Sequence, residues 1–246
     1  MAKIGVLWGI SAGPGDPELL TVKAVRRLQT CSVVAFPAGR DGHPGIAQII
    51  IQPWLQPAQT QLALTFPFVQ TQDVLEAAWE TAAAQVWRYL AEGRDVAFAT
   101  EGDASFYSTF TYLARSLQRQ HPEVSIQTVP GVCSPLAAVA QLGKPLTIWQ
   151  QQLVVLPALY AIADFEAALN QADVVVLMKV ASVYSVVWSV LQRRQLLHRS
   201  HVVVRATQSE ERIYSDLRHH ADLQLPYFSL MIIYCGQTDS AAEGNT

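Results

Sequence analysis

The sequence predicts an α/β protein whose N-terminal part is built on a mostly parallel sheet. Half of its 246 residues are hydrophobic and 15% are charged, a composition that can bury a sizeable core. Short apolar runs alternate with longer segments of helical character over the first two thirds of the chain. Strands that alternate with helices are joined by crossover connections, and such connections produce parallel sheets.

The N-terminal elements follow from the apolar runs and the breakers between them. Asp16 is a suitable N-cap and Pro17 suits the first position of a helix, so we expect a helix to begin there. Gly93 ends the longest predicted helix. In chain order we predict a strand over 4–10, a helix over 16–28, a strand over 32–36, a helix over 46–54, a strand over 61–64, a helix over 72–92, a strand over 96–100, a helix over 106–118 and a strand over 125–129.

The Pro130-Gly131 pair interrupts this pattern, and we place a domain boundary there, giving domains 1–130 and 131–246. The C-terminal part again mixes short apolar strands with helices. We predict helices over 134–142, 165–171 and 183–194, strands over 153–156, 174–178, 201–204 and 230–234, and a turn over 207–216 that leads into a short edge strand.

Composition excludes several classes of function. With 17 basic and 20 acidic residues the net charge is −3, so no basic field favours a nucleic-acid partner. The longest apolar run, 153–163, is shorter than the roughly 18 residues of a membrane span. The three cysteines are too few and too far apart for a disulfide framework or a zinc cluster. We therefore expect a cytoplasmic protein that holds no metal and contacts no membrane.

Three loops, each lying between a predicted strand and a predicted helix, are the candidate ligand-binding segments. They are the first loop (11–16), the second loop (101–109) and the third loop (129–135). The carboxyl ends of parallel strands meet at one edge of a sheet, where ligands bind in α/β folds. The three loops together therefore favour a binding site more than any one of them does alone.

Each loop also has a purely structural interpretation. The first loop could cradle an anion, but it lacks the third glycine of a dinucleotide fingerprint and a following Gly-Lys-Ser/Thr, which favours a tight turn before a capped helix. The second loop could bind a polar cofactor, or Asp103 or Ser105 could simply cap a helix. In the third loop, Cys133 could be an activated thiol, although a small buried core cysteine is favoured.

Five sequence blocks extend the pattern over nearly the whole chain. They are Gly13-Pro-Gly-Asp-Pro-Glu-Leu-Leu-Thr21 with Lys23-Ala-Val-Arg26, Glu101-Gly-Asp103 with Phe106-Tyr-Ser-Thr-Phe110, Val129-Pro-Gly-Val132 with Leu142-Gly-Lys-Pro-Leu146, Arg205-Ala-Thr207 with Glu211-Arg212, and Tyr227-Phe-Ser-Leu230. With these blocks the chain resembles the tetrapyrrole (corrin/porphyrin) methyltransferases, and among them the branch that methylates C20 of precorrin-2 in cobalamin synthesis. It departs from that family at Ser11-Ala12, at Ala104-Ser105 where a proline usually follows the Gly-Asp pair, and at Cys133.

The resemblance implies a two-domain fold with a mixed C-terminal sheet, a homodimer, and S-adenosylmethionine bound in a cleft between the domains. The first loop would face the tetrapyrrole through Gly13, Gly15 and Asp16. Residues carried over as cofactor contacts are Pro14, Glu101, Gly102, Asp103, Phe106, Tyr107, Cys133, Ser134, Met178, Ala206 and Thr207.

The implied reaction needs positioning more than activation, because a sulfonium methyl group reacts readily with an electron-rich carbon. The proton released at C20 could pass to Asp16, Asp103, Tyr107 or the substrate's own nitrogens. The substrate carries many carboxylates, which cationic side chains would bind. Candidates are Lys23, Arg26, Arg40, Lys179 and Arg205, each of which could instead be a solvated surface charge, as is expected of Arg26.

The sequence leaves two other functions open. A macromolecule methylase of the same fold is disfavoured by the acidic balance and by the second block. A non-catalytic protein that binds a tetrapyrrole or S-adenosylmethionine is suggested by the Ala104-Ser105 departure.

Overall fold

The computed structural model describes residues 3–39, 43–67, 69 and 71–236. It divides into two compact units, Met1–Ser134 and Pro135–Thr246. Arg40, one of the proposed cationic residues, lies outside the described residues. No helix within the described ranges is both long and apolar enough to cross a membrane.

The first unit is built on a five-stranded parallel sheet with strand order β3-β2-β4-β1-β5. Its sequence of mostly alternating strands and helices is the pattern that predicted parallel pairing. The elements are β1 (Val6–Ser11), α1 (Val22–Thr30), β2 (Val33–Pro37), α2 (Ile46–Ile51), β3 (Thr60–Leu64), α3 (Gln72–Ala91), β4 (Val96–Thr100), α4 (Thr109–Gln120) and β5 (Ser125–Val129).

The three central strands, β2, β4 and β1, are buried on both faces of the sheet, and their successive residues point to opposite sides. Leu7 and Phe98 pack with residues of α3 and α4 on one face. Trp8 and Ala97, their neighbours in sequence, pack with residues of α1 and α2 on the other. Burial on both sides accounts for the nearly continuous apolar runs by which the strands were predicted.

The second unit contains a mixed sheet with strand order β6-β7-β10-β8-β9, in which only β6 and β7 pair in parallel. Residues of α6 and α7 pack against one face of this sheet to form a single core. The elements are α5 (Ser134–Leu142), which begins at the boundary, β6 (Leu153–Leu156), α6 (Ile162–Gln171), β7 (Val174–Met178), α7 (Tyr184–Arg193), β8 (Ser200–Val204), β9 (Arg212–Ser215) and β10 (Ser229–Tyr234). The predicted edge strand is β9.

Two helices begin later than the sequence predicted. Asp16 caps a short 3-10 turn, Pro17–Leu19, by accepting from the backbone N–H of Glu18 at 2.8 Å. The N-cap of α1 is instead Thr21, whose Oγ1 accepts from Ala24 N at 3.2 Å. The prediction placed the cap at the first suitable residue, whereas the chain makes one additional turn before the helix.

The helix expected from residue 106 begins at Thr109. Ser108 is its N-cap, with Oγ accepting from Phe110 N at 3.1 Å, so neither Asp103 nor Ser105 caps this helix as one interpretation had it. Tyr107, just before the cap, has a φ of 52°, which no residue inside a right-handed helix adopts.

Candidate active site

The three loops meet at the carboxyl edge of the first sheet, where β4, β1 and β5 are neighbours. The first and second loops are joined directly by a pair of backbone hydrogen bonds, Gly13 N to Gly102 O at 3.1 Å and Gly102 N to Gly13 O at 2.8 Å. Both glycines have positive φ values, 79° and 68°, which L side chains rarely adopt. The backbone here is bent so that two loops from distant parts of the sequence pair with each other.

Asp103 connects the loops through its side chain. It is 9% exposed, and its Oδ2 accepts from Gly131 N of the third loop at 2.8 Å. Its Oδ1 accepts from Ser105 N at 2.8 Å and from the Ser105 hydroxyl. Ser11 Oγ lies 3.3 Å from Oδ2. Every polar neighbour of this carboxylate is a donor or can act as one, so the ionised form is the one that fits.

Burial by itself raises the pKa of Asp103, and the hydrogen bonds from Ser105, Gly131 and Ser11 lower it. The hydrogen bonds have the larger combined effect, so the pKa lies below its ordinary value of 3.8. A carboxylate that is ionised at neutral pH and fully engaged with donors holds the loop in place, and it is a weak acceptor for a substrate proton. Its contacts therefore favour a positioning role over that of a base.

The other predicted site residues in the three loops differ in their exposure to solvent. Tyr107 is 54% exposed, and its ring meets that of Phe106 edge to face at 4.7 Å. Glu101 is exposed, Pro14 is buried, and Gly15, Asp16, Gly102 and Ser134 are partly exposed. Cys133 is also partly exposed, so the expectation of a buried core cysteine was wrong.

The candidates of the second unit also meet at one sheet edge. Strands β7 and β8 both run antiparallel to β10, so their carboxyl ends lie on the same side. Met178 is the last residue of β7 and Lys179 follows it, while Arg205, Ala206 and Thr207 follow β8. These segments are more than twenty residues apart in the sequence, and the strand order of the mixed sheet brings them to the same side.

Further residues of the second unit contact these side chains and backbone groups. The Lys179 ammonium lies 5.6 Å from the ring centroid of Tyr227, and Arg205 forms an ion pair with Glu210. Glu211 Oε2 accepts from Thr207 N at 2.6 Å. The charges of this turn were visible in the sequence, but their pairing with a backbone amide needs the three-dimensional structure.

Backbone strain marks the same positions. Of the seven non-glycine residues with positive φ in the described ranges, four are predicted site residues: Tyr107, Lys179, Arg205 and Thr207. Such conformations cost of order 1–3 kcal/mol each and concentrate at functional sites. This signal is independent of the sequence blocks and selects the same loops.

Two of the predicted substrate-binding cations are not among the residues that contact one another at these sheet edges. Lys23 and Arg26 lie on the exposed side of α1. Among the described residues there is no group of three or more His, Cys, Asp or Glu side chains that could hold a metal ion.

We predict that Glu211→Ala weakens binding of S-adenosylhomocysteine, whereas Glu211→Gln leaves it nearly unchanged. Both variants remove the charge, but only Gln keeps an oxygen that can accept from Thr207 N. Loss of that hydrogen bond costs about 1–3 kcal/mol, and the backbone of Thr207 is no longer held in its positive-φ conformation. We therefore expect an affinity loss of roughly fivefold or more. Titration calorimetry measures it, and equal affinities for the two variants would contradict the role given to Glu211.

Comparison with known proteins identifies the family of the chain. Residues 6–221 match the family of Tetrapyrrole (Corrin/Porphyrin) Methylases, and the chain therefore belongs to that family. The chain is 34% identical over 93% of its length to a cobalt-precorrin-2 C(20)-methyltransferase of Salmonella typhimurium, of which it covers 96%. It is also 34% identical, over 99% of its length, to the cobalamin biosynthesis protein CobIJ of Mycobacterium tuberculosis. The chain spans about half, 49%, of that longer relative.

A solved structure shares the fold. The uroporphyrin-III C-methyltransferase of Thermus thermophilus, complexed with S-adenosyl homocysteine, superimposes with a TM-score of 0.66 at 22% identity. The similarity covers 93% of this chain and 97% of that one. At this identity the comparison establishes the shared α/β fold, with its parallel and mixed sheets.

Proposed function

We propose that the protein transfers a methyl group from S-adenosylmethionine to C20 of precorrin-2 or of its cobalt form. The observation that carries the proposal is the match to the C(20)-methyltransferase of Salmonella, which runs along nearly the whole of both chains. The order of the blocks from Gly13 to Leu230 supports the same assignment.

The edge of the first unit has features that suit S-adenosylmethionine. A Cβ added at Gly102 would meet no atom within 4 Å, so this loop borders open space into which a ligand could reach. Exposed Glu101 and Tyr107 offer polar groups beside it, while buried Asp103 fixes the backbone between them. When bound, S-adenosylmethionine supplies an electrophilic methyl group. The chain then has to orient the two reactants in line and exclude water, which contributes most of the rate in such a reaction.

The contacts rank the candidates for the proton released at C20. Asp103 is the least suitable, because both of its oxygens are engaged and its pKa is lowered. Asp16 and Tyr107 are more accessible, and the substrate nitrogens stay an alternative. Lys179 and Arg205 are our candidates for binding the substrate's carboxylates, with Glu210 occupying the Arg205 guanidinium in the free protein.

The Ala104-Ser105 pair no longer favours a non-catalytic binding protein. Ser105 donates from its N–H and its hydroxyl to Asp103, so the departure supplies hydrogen bonds that hold the second loop. The homodimer and the cytoplasmic location stay predictions, and analytical ultracentrifugation of the purified chain tests the first of these.

The proposal is tested by incubating the protein with methyl-labelled S-adenosylmethionine and, separately, precorrin-2, cobalt-precorrin-2 and uroporphyrinogen III. We expect a product one methyl group heavier from one of the first two, with the label assigned to C20 by NMR. Binding of S-adenosylhomocysteine without turnover on any tetrapyrrole would instead support the binding-protein alternative. Methylation of uroporphyrinogen III would move the activity to another branch of the family.

We predict that Asp16→Asn and Asp16→Ala both reduce turnover while leaving the affinity for S-adenosylhomocysteine unchanged. Asn retains the oxygen that caps the turn at Glu18, so the Asn variant separates the charge from the cap, which is worth about 1 kcal/mol. Steady-state kinetics with both substrates and calorimetry give the two readouts. Wild-type turnover in the Asn variant would mean that Asp16 is only a structural cap.

A further inference from the structure

Ser11, the last residue of β1, lies where the second and third loops come together. Strand register sets Ser11 beside Thr100 of β4 and Ile10 beside Val129 of β5. The Ser11 side chain is fully buried. A buried hydroxyl at the junction of three strand ends needs partners for its polar groups, and all of them come from the loops of the candidate site.

The hydroxyl of Ser11 bonds to both of its neighbouring loops. Its Oγ lies 2.7 Å from Val129 O, the carbonyl at the start of the third loop, and donates to it. The same oxygen accepts from Ala104 N of the second loop at 2.8 Å. A hydroxyl has a single proton, and the shorter bond to Val129 O uses it; Asp103 Oδ2, at 3.3 Å, is the alternative acceptor for the same proton.

The third loop also packs directly against Ser11. A Cβ built on Gly131 would stand 2.5 Å from Ser11 Cβ and 3.1 Å from Ser11 O. The same glycine donates its N–H to Asp103 Oδ2. Ser11 and Asp103 thus hold the third loop from two sides, one through its carbonyl at Val129 and the other through its amide at Gly131.

We propose that Ser11 is a positioning residue for cofactor binding: its hydroxyl keeps the second and third loops at a fixed spacing at the edge of the first sheet. The inference rests on the proposed function, because both loops carry the predicted contacts to S-adenosylmethionine. Ser11 itself touches no ligand, since it is buried and its hydrogen bonds are made within the protein. Its loss is expected to affect cofactor binding and to leave the methyl-transfer step itself intact.

Ser11→Ala is a sharp test because it removes one oxygen and keeps the Cβ against which Gly131 packs. Val129 O and Ala104 N then lose their shared partner. We expect the Kd for S-adenosylhomocysteine and the KM for S-adenosylmethionine to rise at least about tenfold, as for one lost buried hydrogen bond. The kcat at saturating cofactor and the KM for the tetrapyrrole should stay within about twofold, because this is a loss of binding and not of transition-state stabilisation. Ser11→Cys has a weaker donor and acceptor, so its cofactor affinity should lie between those of the wild type and Ser11→Ala.

Ser200→Ala is the matched control. Ser200 is fully buried in β8, and its Oγ donates to Leu196 O at 2.8 Å, so the substitution also removes one buried hydroxyl and one hydrogen bond. Similar losses of thermal stability in the two variants, with weaker cofactor binding only in Ser11→Ala, would support the proposal. Unchanged cofactor affinity in Ser11→Ala would overturn it, and so would an equal loss of affinity in Ser200→Ala. A wild-type protein that binds S-adenosylhomocysteine but methylates no tetrapyrrole would refute the proposed reaction and leave the Ser11 test standing.

Discussion

Asp103→Asn is expected to impair cofactor binding almost as severely as Asp103→Ala, although Asn is nearly isosteric with Asp. The carboxylate faces donors on both oxygens, Gly131 N at one and Ser105 N at the other. An Asn amide has one oxygen, so whichever way it is oriented its NH₂ group points at a donor. One unsatisfied buried donor costs about 1–3 kcal/mol, and we expect an affinity for S-adenosylhomocysteine that is lower by about fivefold to 100-fold.

The control for this prediction is Asp95→Asn. Asp95 Oδ1 also accepts a backbone amide, that of Val6 at 2.9 Å, but at the opposite edge of the same sheet. Its Asn variant keeps an acceptor for that amide and should bind cofactor as the wild type does. If Asp103→Asn retained wild-type affinity, the carboxylate would be replaceable as an acceptor and would not be the group that connects the loops.

The pH dependence of stability provides a second measure of the same carboxylate. The pKa of Asp103 lies below 3.8 in the folded protein, so the unfolded state takes up its proton first as the pH falls. Its contribution to stability is therefore complete above the unfolded pKa and is lost as the pH falls through the folded one. The difference in unfolding free energy between the wild type and Asp103→Asn, measured in urea, should be constant near neutral pH and shrink below about pH 3.8.

The strands could be predicted closely because the central ones are apolar on both faces and the outer ones are bounded by turn residues. The strands over 96–100, 125–129, 153–156 and 174–178 have the predicted bounds. Helix starts were less predictable. Asp16 and Asp103 are good cap residues by type, yet the caps are Thr21 and Ser108, because each loop makes additional turns before its helix begins. A preference for a cap residue is local, and the point where a helix can begin depends on how the loop packs.

The meeting of the three loops could be predicted from the sequence, since the carboxyl ends of neighbouring parallel strands share an edge. What each side chain does there could not. Asp103 was expected to act as a cap, a base or a cofactor contact, and its position among donors from residues 11, 105 and 131 depends on strand register. Glu211 was likewise predicted only as part of the fourth sequence block and of a turn, with no partner, because that partner is a backbone amide, which leaves no trace in the side-chain pattern.

Gly131→Ala is expected to disrupt the same site by steric means. The new Cβ would stand 2.5 Å from Ser11 Cβ, so the third loop must move away from β1. That movement lengthens the Gly131 N to Asp103 bond and the Ser11 to Val129 bond together. Overpacking of this kind costs about 1–3 kcal/mol of stability, and we expect the affinity for S-adenosylhomocysteine to fall at least about tenfold.

Two further variants separate the clash from its consequences. In Gly9→Ala the new Cβ would meet the ring of Phe110 at 2.3 Å, so this variant should lose stability with a smaller effect on cofactor affinity. The double variant Gly131→Ala with Ser11→Gly removes the Cβ that causes the clash, and it should be more stable than the sum of the two single losses implies. It should still bind cofactor weakly, since the Ser11 hydroxyl is gone. Additive stabilities in this cycle would show that residues 11 and 131 are not in contact, and the packing at the junction of the three loops would then have to be different from the one described.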